Sequence, residues 1–336
     1  MKVIETVTVI GCGAMGTLCS LILARQVARV VLWGRKEDWI DEIDTQRENR
    51  RFLPGHRLPD HVACTEDPSA AGRADLLLVA VPCQFLRGAC RTVAPWVGPD
   101  TPAVSVVKGI ENDTLMTPLE IVTDVWGARS VCALSGPSIA PEVAAGLPVA
   151  LAAASADHAL AERIQTLFTT ETVRTYTNPD PVGVELAGAM KNVIALAAGM
   201  IDGLGLGHNT KAALLTRGLV EITRLGVALG ARRETFAGLT GLGDLVTTCF
   251  SPVGRNRSAG QLFGEGKTLD EVVGHTASVI EGIPTTRSIL ALAARTGIEM
   301  PISRGVGQVI FEGRAPREVI AELMARQPKP EHDPAR

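Results

Sequence analysis

With 336 residues the chain exceeds the roughly 250–300 at which a single hydrophobic core stops growing, so two domains are expected. Its 46% apolar and 21% charged residues describe a folded protein with ample core. The 33 Lys and Arg against 36 Asp and Glu leave a net charge of −3, which excludes a general attraction to nucleic acid or anionic membrane.

Val7–Ile10 is a β-branched run leading straight into Gly11-Cys12-Gly13-Ala14-Met15-Gly16 and then the apolar, helix-like stretch Thr17–Arg25. In a strand, glycine turn and helix of this kind, the first glycine permits the turn, the second lets the backbone approach a pyrophosphate, and the third allows helix to pack on strand. A second strand, Arg29–Trp33, follows at the expected distance and ends in Gly34-Arg35-Lys36. An NAD site usually has an acid there for the ribose hydroxyls, whereas a cation suits a 2′-phosphate. NADP(H) is therefore expected to be preferred, with NAD(H) acceptable.

Asp38–Arg51 reads as a surface helix closed by a turn at Phe52-Leu53-Pro54-Gly55. Ala74–Val81 is a continuous apolar run, as in a central parallel strand. Ala103–Val107 is another strand and delivers Lys108 at its C-terminal end, the edge where open α/β sheets bind ligands. Val131–Leu134 ends in Ser135-Gly136-Pro137-Ser138, and a short helix over Ala140–Ala145 precedes a strand at Val149–Ala153. The helix Asp157–Phe168, a last strand at Arg174–Tyr176 and a breakpoint at Asn178-Pro179-Asp180-Pro181 complete this part.

Beyond Pro181 the chain reads as helices over 183–201, 210–229, 233–240, 255–264, 284–296, 302–312 and 316–326, with Asn209 or Thr210 placed to cap the second. The expected architecture is an α/β, Rossmann-like, mostly parallel-sheet domain over 1–180 and an all-α domain over 181–326. The Pro- and charge-rich tail 327–336 is expected to be disordered.

Within the helix Val184–Met200 an almost wholly apolar sequence carries Lys191 and Asn192 side by side. Its neighbours Ala187, Gly188, Ile194 and Ala195 leave the ammonium poorly solvated, which lowers its pKa and suits a proton donor. The other reading is a lysine that snorkels to solvent or pairs with Glu185. Downstream, Gly241-Leu242-Gly243-Asp244-Leu245 sets an aspartate among glycines beside Thr247 and Thr248, and Gly254-Arg255-Asn256-Arg257 is a basic turn opening a helix, a natural phosphate receptor.

The seven cysteines show no paired spacing of zinc or redox type. No metal site is expected, and the thiols read as buried in a reducing compartment. With no signal-peptide h-region at Met1, a cytoplasmic location is expected. The apolar runs near 131–154 and 184–201 are interrupted by Gly-Pro and by charged residues, so neither reads as a membrane span.

The segments GCGAMGT at 11–17, LWGR at 32–35, NRRFLPG at 49–55, VKG at 107–109, SGPSIA at 135–140, AAGLP at 144–148, GAMKNVIALAAGM at 188–200, TRGL at 216–219, GLGDL at 241–245, GRNR at 254–257 and VIEG at 279–282 resemble, in order and spacing, the soluble NAD(P)-dependent sn-glycerol-3-phosphate dehydrogenases from Val7 to about Met324. The resemblance implies reversible reduction of dihydroxyacetone phosphate, with hydride from the nicotinamide and a proton through Lys191. Asp244 would bind substrate and orient that lysine. Lys108, Gly136, Ser138, Gly254, Arg255 and Asn256 fall at substrate positions. Gly11, Gly13, Ala14, Met15, Gly16, Arg35, Lys108, Ala140, Arg255, Val279 and Glu281 fall at cofactor positions.

The chain departs from the family pattern at four places. Met15 stands where an aromatic residue is frequent, Ser138 where threonine is, Ile139 where phenylalanine is, and Gly254 where a serine usually contributes a donor. The last bears on which phosphorylated ketone is taken. A ketopantoate- or β-hydroxyacid-type reductase is the nearest alternative, and a non-catalytic NADP-binding sensor a more distant one. The implied partners are small molecules, with no nucleic acid; the subunit number, a homodimer included, is left open.

Overall fold

A computed structural model describes residues 3–276, 278–328 and 330–331. Eight strands, β1 (Thr6–Ile10), β2 (Arg29–Trp33), β3 (Val62–Thr65), β4 (Leu76–Val79), β5 (Ala103–Ser105), β6 (Val131–Ser135), β7 (Val149–Ala154) and β8 (Val173–Asn178), form one sheet in the order β3-β2-β1-β4-β5-β6-β7-β8. All neighbours are parallel except β6 and β7. Only Gly136–Pro148 joins that antiparallel pair, and the sole helix in it, Ala140–Ala144, is a five-residue one. A parallel return is usually made by a crossover helix that runs back along the sheet, and a helix of five residues is too short to span a strand.

The strands are apolar on both faces because helices cover both faces. Val7, Val9, Val30, Leu32, Leu76 and Leu78 join Leu18, Ile22 and Phe168 in one core. The alternating Ile10, Trp33, Leu77, Val79 and Ala103 meet Leu86, Cys90, Val93, Ile121 and Val122 in another. This is the period-2 division of a strand. It leaves the C-terminal ends of β1, β2, β4, β5 and β6 along one edge, where Gly11, Gly34, Ala80, Val106 and Gly136 continue the chain.

Past β8 every described element is a helix, and they are built around Pro181–Gly203. Pro181 opens it at the first helical position, where no N–H is missed. Asp180 caps it, its carboxylate accepting from Gly183 N at 2.9 Å, Arg232 N at 2.8 Å and Thr235 Oγ1 at 2.6 Å. By length and composition this helix could cross a bilayer. Here it is the buried axis of the helical core, with every residue from Gly183 to Ile201 buried. The helix Arg255–Gly264 crosses it backbone to backbone. A Cβ on Gly199 would lie 1.9 Å from Arg257 O, and one on Gly260 would lie 2.0 Å from Leu196 O.

Several sequence expectations are corrected. The expected helix 38–51 is a short turn followed by Ile40–Gln46; Trp39 and Arg47, with positive φ, bracket it. The second long helix begins at Gly207, before Asn209 and Thr210, and no side chain caps it; Thr210 Oγ1 instead donates back to Leu206 O. The helices Cys83–Val93, Pro118–Trp126, Asp244–Phe250 and Leu269–Gly274, and strand β3, are additional to those read from sequence. Of the tail, residues 329 and 332–336 lie outside the described residues, and Gln327, Pro328, Pro330 and Glu331 form neither helix nor strand.

Candidate active site

The glycine turn is sterically determined. Gly11 has φ +109°, and a Cβ there would meet Val81 Cγ2 at 2.9 Å. A Cβ on Gly16 would strike Gly11 O at 1.8 Å, whereas one on Gly13 would meet nothing within 4 Å. Two glycines thus close the turn and the third leaves its backbone open, as a bound pyrophosphate requires. Asn49 braces the turn from outside, its Nδ2 donating to Cys12 O at 2.7 Å and Thr17 Oγ1 at 2.8 Å. Ala140 lies in the same apolar cluster as Ala14 and Met15. Arg35 stands at the end of β2 and pairs with Asp38.

From the helical side, Lys191 emerges midway along the central helix with a side chain 7% exposed. Its ammonium donates to Asp244 Oδ1 at 2.7 Å and to Thr248 Oγ1 at 2.8 Å. The other carboxylate oxygen of Asp244 accepts from Lys108 Nζ, also at 2.7 Å. Lys108 reaches Gly136 O at 2.9 Å and Ser138 Oγ at 3.3 Å as well. Residues far apart in sequence thus share one carboxylate, and two ammoniums against one aspartate leave a net positive centre. Burial lowers the pKa of Lys191 to about 8, with Asp244 opposing and Lys108 reinforcing the shift.

Asp244 reaches this position because a π turn, Leu239–Gly243, precedes its helix, closed by Gly243 N donating to Gly238 O at 3.1 Å. Such widened turns recur at functional sites. The pairing of Lys191 with Glu185 does not occur. Glu185 accepts from Leu119 N at 2.9 Å, and burial raises its pKa to about 8.

Asn192 plays a part that its adjacency to Lys191 hinted at without defining. Its Nδ2 donates to Lys108 O at 3.3 Å, and its Oδ1 accepts from Asn256 Nδ2 at 2.9 Å. Asn256 Oδ1 accepts in turn from Gly282 N at 2.9 Å. Arg255 Nη1 donates to Val279 O at 3.1 Å. Glu281 Oε1 accepts from Cys83 N at 3.0 Å, while its buried Oε2 has no partner among the described residues. Burial raises the pKa of Glu281 to about 6. Asn256 is therefore tied to the lysine cluster through Asn192, and Glu281 to the cofactor half through Cys83, while Arg255 and Val279 are bonded to each other. Gly254 joins no part of this network directly; it opens the helix Arg255–Gly264, and its N–H donates to Ser251 O at 3.3 Å.

Profiles described as the N-terminus and C-terminus of NAD-dependent glycerol-3-phosphate dehydrogenase match residues 6–161 and 180–321. The chain belongs to this family. A relative from Geobacter sulfurreducens named glycerol-3-phosphate dehydrogenase NAD(P)+ is 47% identical over 331 residues, covering 97% of this chain and 99% of its own. One of the same name from Streptomyces avermitilis is 45% identical over 326 residues, covering 96% and 97%. The crystal structure of glycerol-3-phosphate dehydrogenase from Coxiella burnetii superposes with a TM-score of 0.92 at 35% identity, covering 96% of this chain and 99% of that one. Family membership bears out the expected Rossmann-like sheet followed by helices.

The residues present fit a dinucleotide. The open backbone at Gly13 suits a pyrophosphate, the Arg35 guanidinium an added phosphate, and the unpartnered Glu281 Oε2 a hydrogen-bond donor.

Proposed function

We infer that this chain reduces dihydroxyacetone phosphate to sn-glycerol 3-phosphate, reversibly, with NADPH or NADH, and that Lys191 is its proton donor. The observation that carries the second part is the buried Lys191–Asp244–Lys108 cluster. When bound, the nicotinamide supplies hydride. The protein has to align the ketone, give it a proton and stabilise charge developing on its oxygen.

A lysine with a pKa of about 8 is largely protonated at neutral pH yet acidic enough to give its proton up. Asp244 fixes the ammonium, and in the reverse direction the neutral amine takes the proton back. Lys108 adds a second cation beside the ketone. Arg255, Asn256 and the first amides of the helix Arg255–Gly264 form the receptor for the substrate phosphate. The chain's own residues thus provide acid, orientation and anion binding.

Arg35 makes NADP(H) the preferred cofactor. Gly11, Gly13, Ala14, Met15, Gly16 and Ala140 line the cofactor side, with Val279 and Glu281 reaching it from the helical half. The folding units are 1–180 and 181–326. A cytoplasmic location accords with seven free cysteines, and a homodimer is the assembly to look for by sedimentation.

Replacing Lys191 with alanine removes general acid catalysis and should lower kcat by about 100- to 10,000-fold, with the affinity for NADPH retained in a fluorescence titration. Near-normal reduction of dihydroxyacetone phosphate by this variant would refute the assignment.

A further inference from the structure

Beyond β2, Arg35 is not a free cation waiting for a phosphate. Its Nε donates to Asp38 Oδ2 at 2.9 Å and its Nη2 to Asp38 Oδ1 at 3.0 Å, a bidentate pair, while its own backbone N–H donates to Oδ2 at 3.2 Å. The guanidinium face that a 2′-phosphate would occupy is thus already held by a carboxylate of matching geometry.

Asp38 cannot readily leave. Its carbonyl accepts from the Cys12 thiol at 3.4 Å, so its main chain is tied to the glycine turn. The next residue, Trp39, turns through a left-handed conformation with φ 60°, which carries its ring under the Arg51 guanidinium at 3.7 Å. Arg51 belongs to the same segment as Asn49, which is itself bonded to Cys12 O and Thr17 Oγ1. The main chain that carries the carboxylate is therefore fixed beside the glycine turn, and the Arg35 backbone N–H holds Oδ2 there whether or not the guanidinium does. The pair is half exposed, at 59% and 36%, so exchanging its partner for another anion is energetically accessible.

We propose that Asp38 is a cofactor-selectivity residue that acts through Arg35, keeping the guanidinium when the adenosine ribose is unphosphorylated and ceding it when a 2′-phosphate arrives. The proposal rests on reading Arg35 as the 2′-phosphate receptor. Binding NADPH then exchanges one bidentate partner for another and leaves an uncompensated carboxylate next to a phosphate carrying nearly two negative charges at neutral pH. Binding NADH requires no exchange. Asp38 accordingly weakens NADPH selectively and narrows the gap between the two cofactors, specificity being a difference of affinities.

The test is a double-mutant cycle read as KM for NADPH and for NADH at saturating dihydroxyacetone phosphate, in wild type, Asp38→Asn, Arg35→Gln and the double variant. Asp38→Asn keeps the acceptor for the Arg35 N–H and should lower KM for NADPH about three- to tenfold while KM for NADH stays within about twofold. With Arg35→Gln already present, Asp38→Asn should change KM for NADPH by less than about twofold, because the residue it acts through is gone. An unchanged KM for NADPH in Asp38→Asn, an equal gain for both cofactors, or a gain that persists without Arg35 would each overturn the proposal. Arg35→Gln alone separates the two levels. If it leaves the NADPH to NADH ratio unchanged, the 2′-phosphate reading itself fails; if it shifts the ratio towards NADH, only the role of Asp38 is at stake in the other arms.

Discussion

Two parts of the molecule prepare ligand sites by opposite means. At the glycine turn after β1 the decisive groups are main-chain ones: Gly11, Gly13 and Gly16 matter for the side chains they lack. In the helical half the decisive groups are the side chains of Lys191, Asp244, Asn192 and Asn256, each held by hydrogen bonds in a buried or half-buried setting. Backbone recognition is indifferent to neighbouring side chains, so Met15 can occupy a position where the family often has an aromatic residue. Proton transfer depends on a particular nitrogen at a particular place, and admits no such exchange.

This contrast is most open to attack at the glycine turn. Gly16→Ala puts a methyl group 1.8 Å from Gly11 O, so the turn must move by more than an ångström. A displacement of that size costs about 100-fold in rate, which should appear as a fall of that order in kcat/KM for NADPH. Met15→Leu, one residue away, should stay within about twofold of wild type, and a comparable loss in both would mean that side chains matter there too.

On the helical side, Asp244→Asn removes the shared counter-charge of two lysines. A loss in kcat of about 10- to 100-fold is expected. Because Asp244 raises the pKa of Lys191 against the effect of burial, the variant's pH profile should also move. In wild type, ketone reduction should fall above about pH 8 as the ammonium deprotonates, and glycerol phosphate oxidation should rise over the same range. In Asp244→Asn both limbs should shift to lower pH, and unmoved limbs would separate Lys191 from the proton transfer.

Glu185 offers a stability comparison. Its pKa is raised from 4.5 to about 8, so its contribution to stability is complete below pH 4.5 and lost as pH rises through 8. Glu185→Gln keeps the acceptor for Leu119 N without the buried charge. It should be more stable than wild type at pH 8 by on the order of 1–3 kcal/mol and nearly equal at pH 4.5, as measured by urea unfolding. A constant difference across that range would show that folding leaves the pKa of Glu185 where it stands in the unfolded chain.

The smallest effect is expected at Gly254. A Cβ there would meet Thr248 O at 3.2 Å and Ser251 O at 3.4 Å, a fit that needs slight adjustment. Gly254→Ser should lower KM for dihydroxyacetone phosphate by about two- to fivefold if the hydroxyl reaches the phosphate. A raised KM would mean that the crowding outweighs the new donor.

The parts of the fold legible in the sequence were those with uninterrupted local patterns. β1 with its glycine turn, β2, and the central helix announce themselves through β-branched runs, glycine spacing and a long apolar stretch. Strand β3 is four residues, of which only Val62 is buried, so it carries no hydrophobic alternation to read. The helix Asp244–Phe250 grows out of a glycine-rich π turn that reads as loop. Lys191 and Asp244 stood out individually because charged groups in apolar or glycine-rich surroundings are conspicuous. That one carboxylate bridges Lys108 and Lys191 was not legible, because the bridge depends on packing a strand end, a helix centre and a helix start together. Arg35 reads from sequence as an isolated cation, because its bidentate pairing with Asp38 depends on the short turn Lys36–Asp38, where the sequence pattern suggests a helix starting at Asp38.

The glycine contacts between the central helix and Arg255–Gly264 have a consequence for how this protein can change over time. Lys191 and Asn256 ride on two helices whose separation is set by peptide atoms touching at Gly199 and Gly260. Leucines and isoleucines elsewhere in the helical core can therefore be exchanged without altering the spacing of the groups that meet the substrate. Such substitutions should lower the melting temperature long before they alter kcat, so that in this protein robustness of chemistry and robustness of folding are separable properties.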